Sequence, residues 1–260
     1  KVGYNPEQFY ILSVDVGRLG CDTVCCVFKV LPNINGFVKK LVNLEVFPSK
    51  LHFENQAARI KEMIEAYDPR EVVIDGNGLG VGLADEMIKP HYDEMGNFLP
   101  AYGFKNDDVY KQIQPKDAPK ILYGIKANQS LNSKIHGNCY SRLTSGMVRF
   151  LIKEQEAKSA LLATKIGQKM TTEQRVMRLM PHEMTTKLFE EMANLRLKRT
   201  GSSLDIVLER INSRFPKDKY SSFSYGLWRI KELEEESYSR SHRRRAGERK
   251  LVFFTGGING

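Results

Sequence analysis

Asp15 and Asp75 each stand at the end of an apolar run, Ile11-Leu12-Ser13-Val14-Asp15 and Val72-Val73-Ile74-Asp75, and each is followed within a few residues by glycine. Runs of this length and β-branched content read as buried strands, and the glycines turn the backbone where the acid is displayed. A carboxylate beside a packed core loses hydration and has to be paired, hydrogen-bonded or metal-bound. Taken singly, either Asp also reads as the cap of a following helix or turn. A third acid, Asp218, lies in Lys217-Asp218-Lys219-Tyr220-Ser221-Ser222. Pro216 and the Ser pair suit it as an N-cap. As a ligand it is presented from the first turn of a helix, whose positive end, with Lys217 and Lys219, favours an anion. Three carboxylates brought to one place repel unless protons or cations intervene. Oxygen-only ligands select hard divalent ions such as Mg²⁺ or Mn²⁺ over zinc. Two such ions about 3.5–4 Å apart activate a water and stabilise the leaving oxygen in an in-line displacement at phosphorus. No Ser/His/Asp or Cys/His arrangement competes: His52, His91, His136, His182 and His242 are scattered, and His182 reads as a surface loop residue.

The elements that must position these acids follow from the hydrophobic pattern. Residues 9–16, 23–31 and 36–47 read as three strands with short connections, hence antiparallel hairpins. A helix over 53–67 stops at Asp68-Pro69. A fourth strand (71–75), a helix (79–89) and a fifth strand (99–104) complete a mixed sheet. This order is compatible with few architectures. One is the α/β RNase H-like fold, a mixed central sheet of three antiparallel strands followed by parallel ones, with helices on both faces. There the first strand lies beside the fourth in parallel, so acids on both share one sheet edge. The remainder reads as mainly helical: a long helix over 121–145, a short strand over 147–152 that forms half of a hairpin continuing around 175–180, a helix over 184–199 closed by Gly201, a helix or strand over 205–211, and a helix over 218–236.

The 260 residues suit one large domain with an appendage, here a body over 1–236 and a basic tail over 237–260. At 41% hydrophobic and 27% charged residues the composition is that of a soluble globular protein, with no apolar run long enough to span a membrane. A start at Lys1-Val2-Gly3 without Met reads as a piece of a longer protein. Cys21, Cys25, Cys26 and Cys139 fit neither a zinc spacing nor a disulfide framework, because adjacent strand residues point to opposite faces. A reducing cytoplasm is the simpler setting. The net charge of +9 favours an anionic partner. Six basic side chains against one Glu over 238–250, including Arg243, Arg244 and Arg245, carry +5 of it, as a solvated arm or a phosphate-binding one.

The motifs together resemble one family, the nuclease domain of the large terminase subunit of tailed bacteriophages, part of the DNA-packaging motor. The resemblance rests on Asp15-Val16-Gly17-Arg18 with Gly20 and Asp22, on Val73-Ile74-Asp75-Gly76-Asn77-Gly78-Leu79-Gly80 with Leu83, Ala84 and Asp85, and on Lys217 to Ser222 with Tyr225-Gly226-Leu227. It implies that Asp15, Asp75 and Asp218 take the three metal-binding positions, with Asp22 as an accessory acid one residue further from Asp15 than is usual. Lys217 stands where the family carries a second acid. The implied activity is two-metal-ion endonucleolytic cutting of concatemeric viral double-stranded DNA during packaging, with Mg²⁺ or Mn²⁺. The implied partners are the terminase ATPase domain, the small terminase subunit and the portal. The implied state is a monomer in isolation and a ring in the motor, in the host cytoplasm, transiently on the procapsid and not in the mature virion. No phosphate-binding loop of the Gly-x-x-x-x-Gly-Lys-Ser/Thr type occurs, so the ATPase half is expected elsewhere.

Two other readings use the same residues. Asp15-Val16-Gly17 also fits the metal-ATP turn of actin-like and sugar-kinase phosphotransferases, with Thr255-Gly256-Gly257 as a glycine pair. A non-catalytic DNA-clamping module would use the basic charge and leave the acids as caps. Arg18, Lys217 and Lys219, as neighbours of the acids, are the residues expected nearest the phosphate, and contacts of that kind position a duplex without reading its bases. DNA binding is expected to weaken steeply with salt.

Overall fold

The computed structural model describes residues 8–33, 35–199 and 206–251, with 199 and 240–251 as backbone only. The elements in chain order are β1 (Phe9–Asp15), β2 (Thr23–Leu31), β3 (Val38–Phe47), α1 (Phe53–Tyr67), β4 (Pro69–Asp75), α2 (Gly80–Met87), β5 (His91–Tyr92), β6 (Phe98–Leu99), β7 (Gly103–Phe104), α3 (Asp108–Ile113), β8 (Lys120–Ile125), α4 (Gln129–Thr144), β9 (Val148–Arg149), α5 (Glu154–Leu162), α6 (Lys165–Lys169), α7 (Thr172–Ala193), β10 (Leu195–Arg199), β11 (Ile206–Arg210) and α8 (Asp218–Leu251). Seven strands form one sheet in the order β7-β8-β4-β1-β2-β3-β9. β2 is antiparallel to both β1 and β3, while β4 runs parallel to β1 and β8 parallel to β4. This is the RNase H-like arrangement expected from the element order, and it places the C-terminal ends of β1 and β4 side by side.

Strand alternation divides the core into two layers. Ile11, Cys26, Phe28 and Val73 pack under α4, α7 and α8, with Ile135, Leu188, Phe223, Leu227 and Ile230. Leu12, Val14, Cys25, Val72 and Ile74 face α1 and α2, with Ile60, Ile64, Leu83 and Met87. Cys25 and Cys26 therefore lie in opposite layers, and all four cysteines are free thiols. α1 ends at Asp68, whose left-handed conformation (φ 45°) turns the chain into β4. No helix among the described residues is long and apolar enough to cross a membrane.

Several expectations are corrected downstream of β4. The strand expected over 99–104 is two short ones: β6 pairs with β5 outside the main sheet, and β7 is the edge strand beside β8. The helix expected over 121–145 begins only at Gln129. Lys120–Ile125 is β8, whose apolar content serves a buried parallel strand as well as a helix. Residues 147–152 do not form a hairpin with 175–180. β9 pairs in parallel with β3, and 175–180 lies within α7. The hairpin is instead β10–β11, which ends the expected helix of 184–199 at Ala193. His182 is on α7, not in a loop, and its Nδ1 donates to the Ile152 carbonyl at 2.8 Å. Gly201 and the first residue of the segment over 205–211 lie outside the described residues. α8 begins at Asp218 as expected and crosses the 236/237 boundary without a break.

Candidate active site

Asp15 and Asp75 occupy matching positions on adjacent parallel strands. The last described rung pairs Val14 with Ile74, and each acid is the next residue. Residues 11, 13 and 15 of β1 share a face with 73 and 75 of β4, and this is the face that α8 covers. The turn after Asp75 is held by Gly76 N–H donating to the Ile125 carbonyl (2.8 Å) and Asn77 N–H donating to Asp75 Oδ1 (3.0 Å). Gly80 begins α2 so close to that turn that a Cβ would lie 1.6 Å from the Asp75 carbonyl oxygen, so the glycine spacing of the motif is a steric requirement.

Asp218 comes to the same place because α8 docks directly on β1. Ser13 Oγ donates to the Ser222 carbonyl and Ser222 Oγ donates to the Ser13 carbonyl, both at 2.7 Å and both buried. This reciprocal pair sits two residues before Asp15 and one helical turn after Asp218. Gly226, one turn further along, lets the helix approach: a Cβ there would meet the Phe28 ring at 2.4 Å and Ser13 Cβ at 3.0 Å. The third acid is not an N-cap. The first helical bond runs from Ser221 N–H to the Lys217 carbonyl (2.9 Å), which puts Lys217 at the cap and Asp218 one residue inside the helix.

The carboxyls interact. Burial first, then the charges of Asp218 and Asp75, push the Asp15 carboxyl well above its usual range, against the pull of Lys217. Asp75 is raised by burial, opposed by its bonds to Asn77 and by Lys217. Asp218 is raised by burial, with Lys219 opposing, then raised by Asp22 and lowered by the Asp22 backbone N–H that donates to it. Asp22 therefore lies at the site, beside Asp218. Asp218 and Asp75 are near enough to raise the proton affinity of Asp15. Among the described residues no group of three or more His, Cys, Asp or Glu side chains is placed to hold a metal ion.

Lys217 is exposed and lowers the proton affinity of all three acids. Lys219 is not so placed. It turns inward, is 7% exposed, and its ammonium bonds Glu191 Oε1 at 3.0 Å. The helical rotation of about 100° per residue separates it from Lys217. Arg18 is half-buried beside α1, with Nη2 3.0 Å from His52 Nδ1 and its guanidinium over the Phe53 ring. The side chains of Arg243, Arg244 and Arg245 lie outside the described residues.

The pattern reading missed three neighbours. Glu191 on α7 is 2% exposed and raises Asp15. Its signal was an acid on the apolar stripe of Leu188 and Met192. Tyr225 is raised by burial and by Asp75 and Asp15. His136 on α4 bonds Tyr220 Oη through Nδ1 at 3.1 Å and is held down to about 4 by burial and by Lys217, hence neutral at physiological pH.

Carboxylate oxygens, the donors that Asp15, Asp75, Asp218 and Asp22 carry, are the type that hard divalent cations prefer. Among solved structures the chain is similar to the large terminase nuclease of thermophilic phage G20c, determined with bound magnesium and with bound cobalt. In both cases identity is 17%, the TM-score is 0.49, and 86% of this chain and 82% of that chain are covered. It is also similar to the large terminase nuclease domain of Thermus phage P74-26, at 17% identity and a TM-score of 0.46, covering 86% of this chain and 80% of that one. These are nuclease domains of the family that the motifs resemble. No protein-family model and no curated protein matches the sequence.

Proposed function

We propose that the chain is a divalent-metal-dependent endonuclease that cuts double-stranded DNA by phosphodiester hydrolysis, acting on viral concatemers during genome packaging. The observation that carries this reading is the crowding of charge on Asp15, whose carboxyl is raised by burial and by both Asp218 and Asp75. Folding has concentrated negative charge at one point of a sheet edge, a costly arrangement unless a cation is to be held there. In this reading Asp15, Asp75 and Asp218 hold Mg²⁺ or Mn²⁺, two ions when fully loaded, with Asp22 as accessory. The ions supply charge stabilisation at phosphorus and a water of lowered pKa.

The chain's own residues bind and orient. Lys217 offers the phosphate an exposed cation beside the acids. Asn77 holds the Asp75 carboxylate through its N–H. The body over 1–236 carries the chemistry, and the basic extension over 237–260, with Arg243, Arg244 and Arg245, contacts duplex phosphates. The motif resemblance further supports the terminase ATPase domain, small subunit and portal as partners.

The test is incubation of supercoiled plasmid with Mg²⁺, Mn²⁺ or chelator, comparing the native chain with Asp15→Asn and Asp75→Asn. Conversion to nicked or linear product is expected only with metal and both native acids, while DNA retention in a mobility-shift assay survives either substitution. Cutting that persists in chelator, or in Asp15→Asn, overturns the reading. Intact plasmid with full DNA retention throughout would favour a non-catalytic clamp instead.

A further inference from the structure

We propose that Glu191 is the positioning residue for Asp218: it caps α8 from outside that helix and so leaves the Asp218 carboxylate free to face Asp15. The first N–H groups of a helix need acceptors, usually a Ser, Thr, Asp or Asn side chain at the cap. Here the cap position is Lys217, whose side chain has donors only. Asp218, next in line, is turned to the acid cluster and accepts from the Asp22 N–H of the β1–β2 loop.

The missing acceptor arrives from α7. Glu191 Oε2 accepts from Tyr220 N–H at 2.9 Å, and Oε1 accepts from Lys219 Nζ at 3.0 Å. Glu191, Lys219 and Tyr220 are all buried, at 2%, 7% and 6% exposure. One carboxylate thus fixes both residues that follow Asp218, and the ammonium of Lys219 balances its charge. Tyr220 is held at its other end by His136. Both oxygens of this buried acid are engaged, one by a backbone N–H and one by a lysine, which assigns Glu191 to orientation rather than to metal.

The consequence for cutting rests on the nuclease reading, but the cap itself is readable in the metal-free chain. The full chain carrying Lys219→Met, which removes the buried ammonium, is compared with Gln and with Met at position 191: Gln offers Tyr220 N–H an oxygen and Met of similar length does not. Hydrogen exchange at the Tyr220 amide is expected to be about tenfold faster with Met than with Gln, the size of one lost helix cap. In plasmid cutting the Mg²⁺ concentration for half-maximal rate is expected to rise about tenfold with Met, while the rate at saturating Mg²⁺ stays within about threefold. Equal exchange in the two variants overturns the cap. Faster exchange with no movement of the Mg²⁺ midpoint overturns the positioning of Asp218. A native chain that cuts nothing sinks the nuclease reading, and exchange then still decides whether Glu191 caps α8.

Discussion

At the scale of single residues, the acids and the glycines beside them form one unit. Gly80 sits against the Asp75 carbonyl, so Gly80→Ala forces the turn open and moves the carboxylate it displays. We expect a loss of about 1–3 kcal/mol in denaturant unfolding, typical of overpacking. Cutting should fall about a hundredfold, because displacement of a reacting group by an ångström is enough. Unchanged cutting would mean that the turn does not set the position of Asp75. The alternation of β1 and β4 was legible in the letters: 11, 13 and 15 share parity, as do 73 and 75, so two acids on one face required only that the strands be neighbours in register. The direction of Lys219 was not legible, because helical rotation away from Lys217 acquires meaning only once α7 brings Glu191 to meet it.

At the scale of elements, the docking of α8 on β1 decides whether Asp218 reaches the site. Gly226 and the Ser13–Ser222 pair make that docking close. Gly226→Ala, which places a methyl 2.4 Å from the Phe28 ring, is expected to lower stability by about 1–3 kcal/mol. It should also reduce cutting by about tenfold or more, through a shift of the helix that carries Asp218. Ser222→Ala is the milder comparison, at about 1 kcal/mol for a hydrogen bond lost. If stability falls in Gly226→Ala while cutting is retained, helix position and site geometry are uncoupled. Elements with periodicity of their own, β1 to β4, α1 and the start of α8, were readable from pattern. β8 and β10 were not. Lys120–Ile125 is a short apolar run that suits either element, and Leu195–Arg199 continues the helical spacing of α7 until hairpin pairing with β11 overrides it.

At the scale of the whole molecule, β4 and α8 are joined through a buried ion network. Arg229 donates from Nε to Glu71 Oε2 at 2.6 Å, Lys105 donates to Glu71 Oε1 at 2.9 Å, and the guanidinium lies over Tyr123. Burial raises the Glu71 carboxyl, but the hydrogen bonds from Arg229 and Lys105 outweigh it and hold the group below its usual range. A carboxyl lowered by folding contributes stability that is fully present above its unfolded value of about 4.3 and is lost as pH falls through the folded one. Glu71→Gln, which leaves Arg229 its ion pairs with Glu232 and Glu236 at 3.1 Å, is therefore expected to cost about 1–3 kcal/mol near pH 7, as for hydrogen bonds lost between charged groups. In thermal melts its deficit against the native chain should narrow steadily from pH 5 towards pH 3, and a deficit independent of pH would remove Glu71 from the acid response.

The sequence by itself determined where the strands that display Asp15 and Asp75 end and that Asp218 opens a helix, because glycine spacing and apolar periodicity are properties of neighbouring residues. Only the tertiary structure decided what surrounds Asp218. Those surroundings depend on the Glu191 carboxylate, twenty-seven positions away on another helix, on a serine pair 209 positions apart, and on a glycine whose value lies in the ring it lets come close. Contacts between distant segments carry no local periodicity, so they become visible only when packing has chosen which faces meet.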